Sequence, residues 1–156
     1  MKRLLAVLAC MMVAGMAWAA PKGELTFSAS AFNPTNGGNV WNLTGEYLIP
    51  VAGNLLIGPS VSMFDAGPFD GGSFGVTGEL GVGKTSGLFL GASVLKPTGD
   101  ASDVVDYTGQ ARLGVKFGGT KGFVKVYASQ TWSQQPDGAI IDPDGTAFNA
   151  GLGLRF

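Results

Sequence analysis

The chain ends in Thr146-Ala-Phe-Asn-Ala-Gly-Leu-Gly-Leu-Arg-Phe156, and this stretch constrains the fold more than any other. Phe148, Ala150, Leu152, Leu154 and Phe156 fall on one parity, while Asn149, Gly151, Gly153 and Arg155 fall on the other. Such period-two alternation describes a β-strand with one apolar face and one face of small or polar side chains. It runs through to an aromatic last residue, and terminal residues keep a strand conformation only when tied into a sheet. A run of about ten residues is also what a tilted strand needs to cross a bilayer. The rest of the chain has to supply partners for it.

The N-terminus reads as a secretory signal peptide spanning residues 1–20. Lys2 and Arg3 give a positive start, Leu4 to Met16 an apolar run, and Ala17-Trp18-Ala19 a small-x-small cleavage site. The alternative, a retained helical anchor, would call for a longer apolar run without a cleavage pattern. The single cysteine, Cys10, falls in this segment in a poor lipobox context, so the mature chain has neither a thiol nor a disulfide. Stability must then come from the sheet itself.

Residues 21–156 form one domain by the length prior. Charged residues make up 13% of the chain, against roughly 25% in an average soluble protein, and there is no histidine. Without Lys2 and Arg3 the formal charge is −3, which offers no basic field for nucleic acid.

Eight alternating segments follow one another. They begin near Lys22, Val40, Leu55, Ser73, Leu88, Val105, Gly122 and Thr146, and no stretch of helical period competes with them. The connections alternate long and short, with loops at 33–39, 65–72, 96–103 and 133–145 and tight turns at 50–54, 84–87 and 118–121. This is the rhythm of an outer-membrane barrel, whose external loops are long and periplasmic turns tight. The predicted fold is therefore all-β: a closed, antiparallel, up-and-down transmembrane β-barrel of eight strands.

Two further patterns bear on orientation. Trp41, Phe74, Tyr107, Trp132 and Phe148 sit near loop-side strand ends on the apolar parity, and Tyr47, Phe117 and Phe156 near turn-side ends, as two interfacial girdles would. On the other parity lie Glu24, Glu46 and Glu79 from the first half of the chain, and Arg112, Lys116, Lys125 and Arg155 from the second. Each is near the turn-side end of its strand, so closure gathers them in one layer low in the lumen and brings Glu24 towards Arg155. An eight-stranded barrel is only wide enough to be filled by side chains. Mutually paired charges at one depth make an internal plug; solvated charges on an open sheet are the other reading. Gly75, Gly81, Gly83, Gly91, Gly114, Gly151 and Gly153 share the lumenal parity and leave room for larger neighbours.

These features resemble the small bacterial outer-membrane β-barrel proteins of the eight-stranded kind, over the whole mature chain. The exported N-terminus, the strand rhythm and the terminal pattern carry the resemblance, and Leu56-Ile-Gly-Pro-Ser-Val-Ser62 is similar to strands in that group. The resemblance implies that Phe148, Ala150, Leu152, Leu154 and Phe156 form the signal read by the outer-membrane assembly machinery, and that outer-membrane lipid surrounds the barrel. One residue departs from the pattern. Pro59 stands inside the third strand, where it removes a ladder hydrogen bond and implies a bulge or imperfect closure.

Chemistry is sparse. Without histidine, Ser-His and Cys-His nucleophiles are unavailable, and the basic neighbours of Glu24, Glu46 and Glu79 favour salt bridges over acid–base work. No enzyme activity, cofactor or metal is expected. Asp142-Pro-Asp144-Gly145 lacks the remaining positions of a calcium loop and reads as turn chemistry. Acidic residues crowd the long loops (Asp65, Asp70, Asp100, Asp103, Asp137, Asp142, Asp144), so divalent bridging to anionic outer-leaflet lipid is one expectation. The functions that remain are a membrane scaffold displaying its loops, a narrow pore for ions or small solutes, or a soluble exported barrel holding a small apolar ligand.

Overall fold

A computed structural model describes residues 22–32, 40–65, 70–82, 87–141 and 146–156. The segment read as a signal peptide, the Asp142–Gly145 turn and Lys84 lie outside the described residues. The strands are β1 (Glu24–Phe32), β2 (Val40–Ala52), β3 (Leu55–Asp65), β4 (Asp70–Gly81), β5 (Leu88–Gly99), β6 (Tyr107–Gly118), β7 (Gly122–Gln134), β8 (Ile140–Ile141) and β9 (Ala147–Arg155). Each long strand pairs antiparallel with its predecessor, β9 pairs with both β1 and β7, and β6 pairs with β7. The sheet therefore closes into an up-and-down barrel of eight staves. The two-residue β8 extends the β7 edge above it, opposite Ser133 and Gln134.

The terminal strand is enclosed on both sides. Leu154 faces Leu25 of β1 and Gly122 of β7, and Glu24 faces Arg155. Closure removes the free edges that an open sheet would present.

Three sequence expectations need correcting. First, β4 starts at Asp70 rather than Ser73, and β5 runs on through Lys96 to Gly99. Gly71 and Gly72 bear no side chains to show an alternation, yet their backbones pair with Gly99 and Thr98. The connection 66–69 is consequently no longer than the turn 82–87, and the strict alternation of loop lengths fails there. Second, Pro59 causes no bulge, and the imperfection beside it is a short gap in the β2–β3 ladder. Glu46 pairs with Ser60 and Ile49 with Ile57 in one register, and only the rungs between Tyr47–Leu48 and Gly58–Pro59 are missing. Pro59 still pairs normally with Val76 on its other side. The strands crowd at this gap, because a Cβ on Gly58 would overlap the carbonyl oxygen of Tyr47. The one register shift in this pair lies between Pro50 and Ala52, beside the Gly53–Asn54 turn. Third, the girdles are incomplete: Tyr47 is only 4% exposed and Trp132 is half-buried. Trp41, Phe74, Tyr107 and Phe148 are exposed towards the loop end, and Phe117 and Phe156 towards the turn end.

Candidate functional site

Period-two alternation assigns every strand an outer and an inner face, and burial shows which is which. On the outer face Leu152 is 69% exposed, Val76 55%, Leu154 54% and Leu80 48%, whereas Glu46 and Lys125 are completely buried. The chain is thus inverted relative to a soluble domain, where exposed apolar patches are small and buried charges rare. The terminal residues Phe148, Ala150, Leu152, Leu154 and Phe156 all lie exposed on this outer face.

The lumen gathers all seven charged residues that share the inward parity. They form one unbranched chain of ion pairs. Arg112 bonds Glu46 through Nη1; Lys125 Nζ reaches Glu46 Oε2 at 2.8 Å and also bonds Glu79. Lys116 Nζ lies 2.8 Å from Glu79 Oε2 and also bonds Glu24, whose Oε1 accepts from Arg155 Nε at 2.9 Å. Each carboxylate bridges two cations, and a guanidinium stands at either end of the series. Both ends are tied down further: Arg112 Nε donates to Gln110 Oε1 at 2.6 Å, and Arg155 Nη1 to the Gly119 carbonyl at 2.6 Å. Four cations against three carboxylates leave one positive charge in excess.

Rings take up part of that excess. Arg112 and Lys125 lie over Tyr127, at 5.3 and 5.0 Å from its centroid, and Lys125 is also 5.0 Å from Phe89. Lys116 lies 5.4 Å from both Phe89 and Phe123, and Arg155 4.5 Å from Phe123. A cation within about 6 Å of a ring centroid is attracted by its quadrupole, more strongly when desolvated. Phe89, Phe123 and Tyr127 stand on the inward parity, where no local pattern in the sequence marks them as part of the site. Their signal is non-local, in the glycines across the strands. A Cβ on Gly153 would overlap the Phe123 ring, and one on Gly114 would meet Phe89 Cε1 at 2.8 Å. These glycines provide the space that the rings fill.

Above the ionic layer, towards the loops, the inward face is uncharged. Ser28 Oγ and Tyr127 Oη are 3.0 Å apart, Thr77 donates to Ser93 Oγ at 3.1 Å, Asn149 Nδ2 to Ser129 Oγ at 2.9 Å, and the Ser62 and Ser73 hydroxyls meet at 2.6 Å. Among the described residues no group of three or more His, Cys, Asp or Glu is placed to hold a metal ion.

No protein-family model and no curated protein sequence matches the chain. The fold is similar to that of the Yersinia pestis outer membrane protein Ail, whose backbone was solved in a phospholipid bilayer nanodisc. The match has a TM-score of 0.52 at 12% identity and covers 88% of this chain and 100% of that one. A weaker match, with a TM-score of 0.44 at 9% identity, covers 87% of this chain and 99% of the KdgM porin, solved in complex with disordered oligogalacturonate. The architecture shared with Ail is that of a closed, eight-stranded, up-and-down β-barrel.

Proposed function

We propose that the chain is an integral outer-membrane β-barrel protein with a plugged lumen and a structural or surface-interaction role, performing no catalysis. One observation carries this reading: apolar side chains cover the outside of the barrel while Glu46, Glu79 and Lys125 are buried within it. Water would leave that outer surface unsatisfied, and hydrocarbon satisfies it. Inside, each charge has an opposite partner, without which its burial would cost several kcal/mol. On this reading the partner of the outer face is outer-membrane lipid, and Phe148, Ala150, Leu152, Leu154 and Phe156 guide the chain through the assembly machinery. The charged lumen leaves no apolar interior for a lipophilic ligand.

Membrane fractionation of the full chain tests this directly. The protein should sediment with outer membranes, resist carbonate and high salt, and come out only in detergent. Recovery in the soluble periplasmic fraction would overturn the reading. Planar-bilayer recording tests the plug: the wild-type barrel should be silent, and Glu46→Ala, which strands Arg112 and leaves Lys125 with Glu79 alone, should give measurable conductance. Steady single-channel steps from the wild type would replace the plugged scaffold with a narrow pore.

A further inference from the structure

We propose that Lys96, held between Phe74 and Tyr107 on the outer face, binds the phosphate of an anionic lipid in the outer leaflet. The proposal rests on the membrane reading above and adds a specific contact to it. Inward and outward positions alternate along β5, and Lys96 follows Leu88, Leu90, Ala92 and Val94 on the exposed side. It is thus a charge at the end of an apolar stripe. On one flank its ladder partner is Phe74 of β4. On the other its Nζ lies 5.5 Å from the centroid of Tyr107 in β6. Both rings are exposed members of the loop-side girdle, which is where amphipathic aromatics mark the depth of lipid headgroups. A lysine at that depth extends its stem over apolar surface and its ammonium into the headgroup layer.

Charge complementarity identifies the occupant. Arg112, Lys116, Lys125 and Arg155 are spent inside the lumen on Glu24, Glu46 and Glu79. Lys22 and Lys121 belong to the opposite end of the barrel. Segments 33–39, 66–69, 100–106 and 135–146 contain no lysine or arginine, while Asp100, Asp103, Asp106, Asp137, Asp142 and Asp144 lie in them. Among the described residues Lys96 is the one cation on the outer face at the loop end, and no carboxylate forms an ion pair with it there. At this end a lipid phosphate finds its cation in Lys96, since the charged residues of the connecting segments are all acidic. The contact needs no bridging divalent ion, unlike one made through the aspartates.

Native mass spectrometry of the full barrel, released from phosphatidylcholine nanodiscs containing a minor fraction of phosphatidic acid with divalent ions chelated, provides the test. The wild type should retain phosphatidic acid. Lys96→Gln should weaken retention roughly fivefold, matching the about 1 kcal/mol that a lysine contributes at an anionic surface, and Lys96→Arg should preserve it. Equal retention by wild type and Lys96→Gln overturns the site, as does a loss in Lys121→Gln as large as that in Lys96→Gln. Circular dichroism and protease protection report insertion separately. If the wild type does not insert, the membrane reading itself falls; if every variant inserts and none differs, only the lipid site does.

Discussion

From turn end to loop end, the inward side chains of β1 run Glu24, Thr26, Ser28, Ser30, and those of β2 run Leu48, Glu46, Thr44, Asn42. The lower half of the lumen is ionic and aromatic; the upper half is hydroxyl and amide. Along β1 exposure rises from 1% at Thr26 to 2% at Ser28 and 8% at Ser30. The middle of the lumen is thus closed, and it loosens slightly towards the loop end, while at the turn end Arg155 and Glu24 keep side-chain exposures of 31% and 12%. The same backbone and the same alternation supply both halves, so the difference lies wholly in side-chain chemistry. Dry charges bind one another strongly but are costly when unmatched, whereas hydroxyl pairs are weak and forgiving.

Mutations can break or sharpen this contrast. The largest effect is expected from Glu46→Ala, which leaves Arg112 and Lys125 facing each other without their shared carboxylate. Its cost should be about 3–5 kcal/mol in urea unfolding of the detergent-refolded barrel. Next comes Gly153→Ala, which drives a methyl group into the Phe123 ring and displaces it from Arg155. Overpacking of this kind costs about 1–3 kcal/mol, read in the same unfolding experiment. The smallest is Ser28→Ala in the hydroxyl half, which removes one bond to Tyr127 and should cost about 1 kcal/mol. If Ser28→Ala proved as damaging as Glu46→Ala, the two halves would not differ as described.

Much of this molecule is legible in the sequence because parity is a property of one strand at a time. Leu152 against Gly153, or Val76 against Thr77, already separates outside from inside. The same rule places Glu46 and Arg112 on one face without reference to any neighbour. Partner choice is different. That Lys125 bridges Glu46 and Glu79 depends on how β7, β2 and β4 come together across the lumen, which no single strand contains. The inward rings are illegible for the same reason, since Phe123 makes sense only beside the empty space over Gly153. Strand ends are illegible where the side-chain code lapses, at Gly71–Gly72 and around Pro97.

The two rungs missing between Tyr47–Leu48 and Gly58–Pro59 lie just beyond the tight turn at Gly53–Asn54. A hairpin ordinarily zips outward from its bend, each new pair fixing the next. Here two rungs are absent soon after the bend, yet the pairs on either side of the gap, Ile49 with Ile57 and Glu46 with Ser60, keep one alignment. Across the gap the two strands stay bracketed by the far end, where Trp41 through Glu46 meet Ser60 through Asp65, and by the flanking staves β1 and β4. The closed cylinder thus supplies, on both flanks of this hairpin, the continuity that its own ladder lacks.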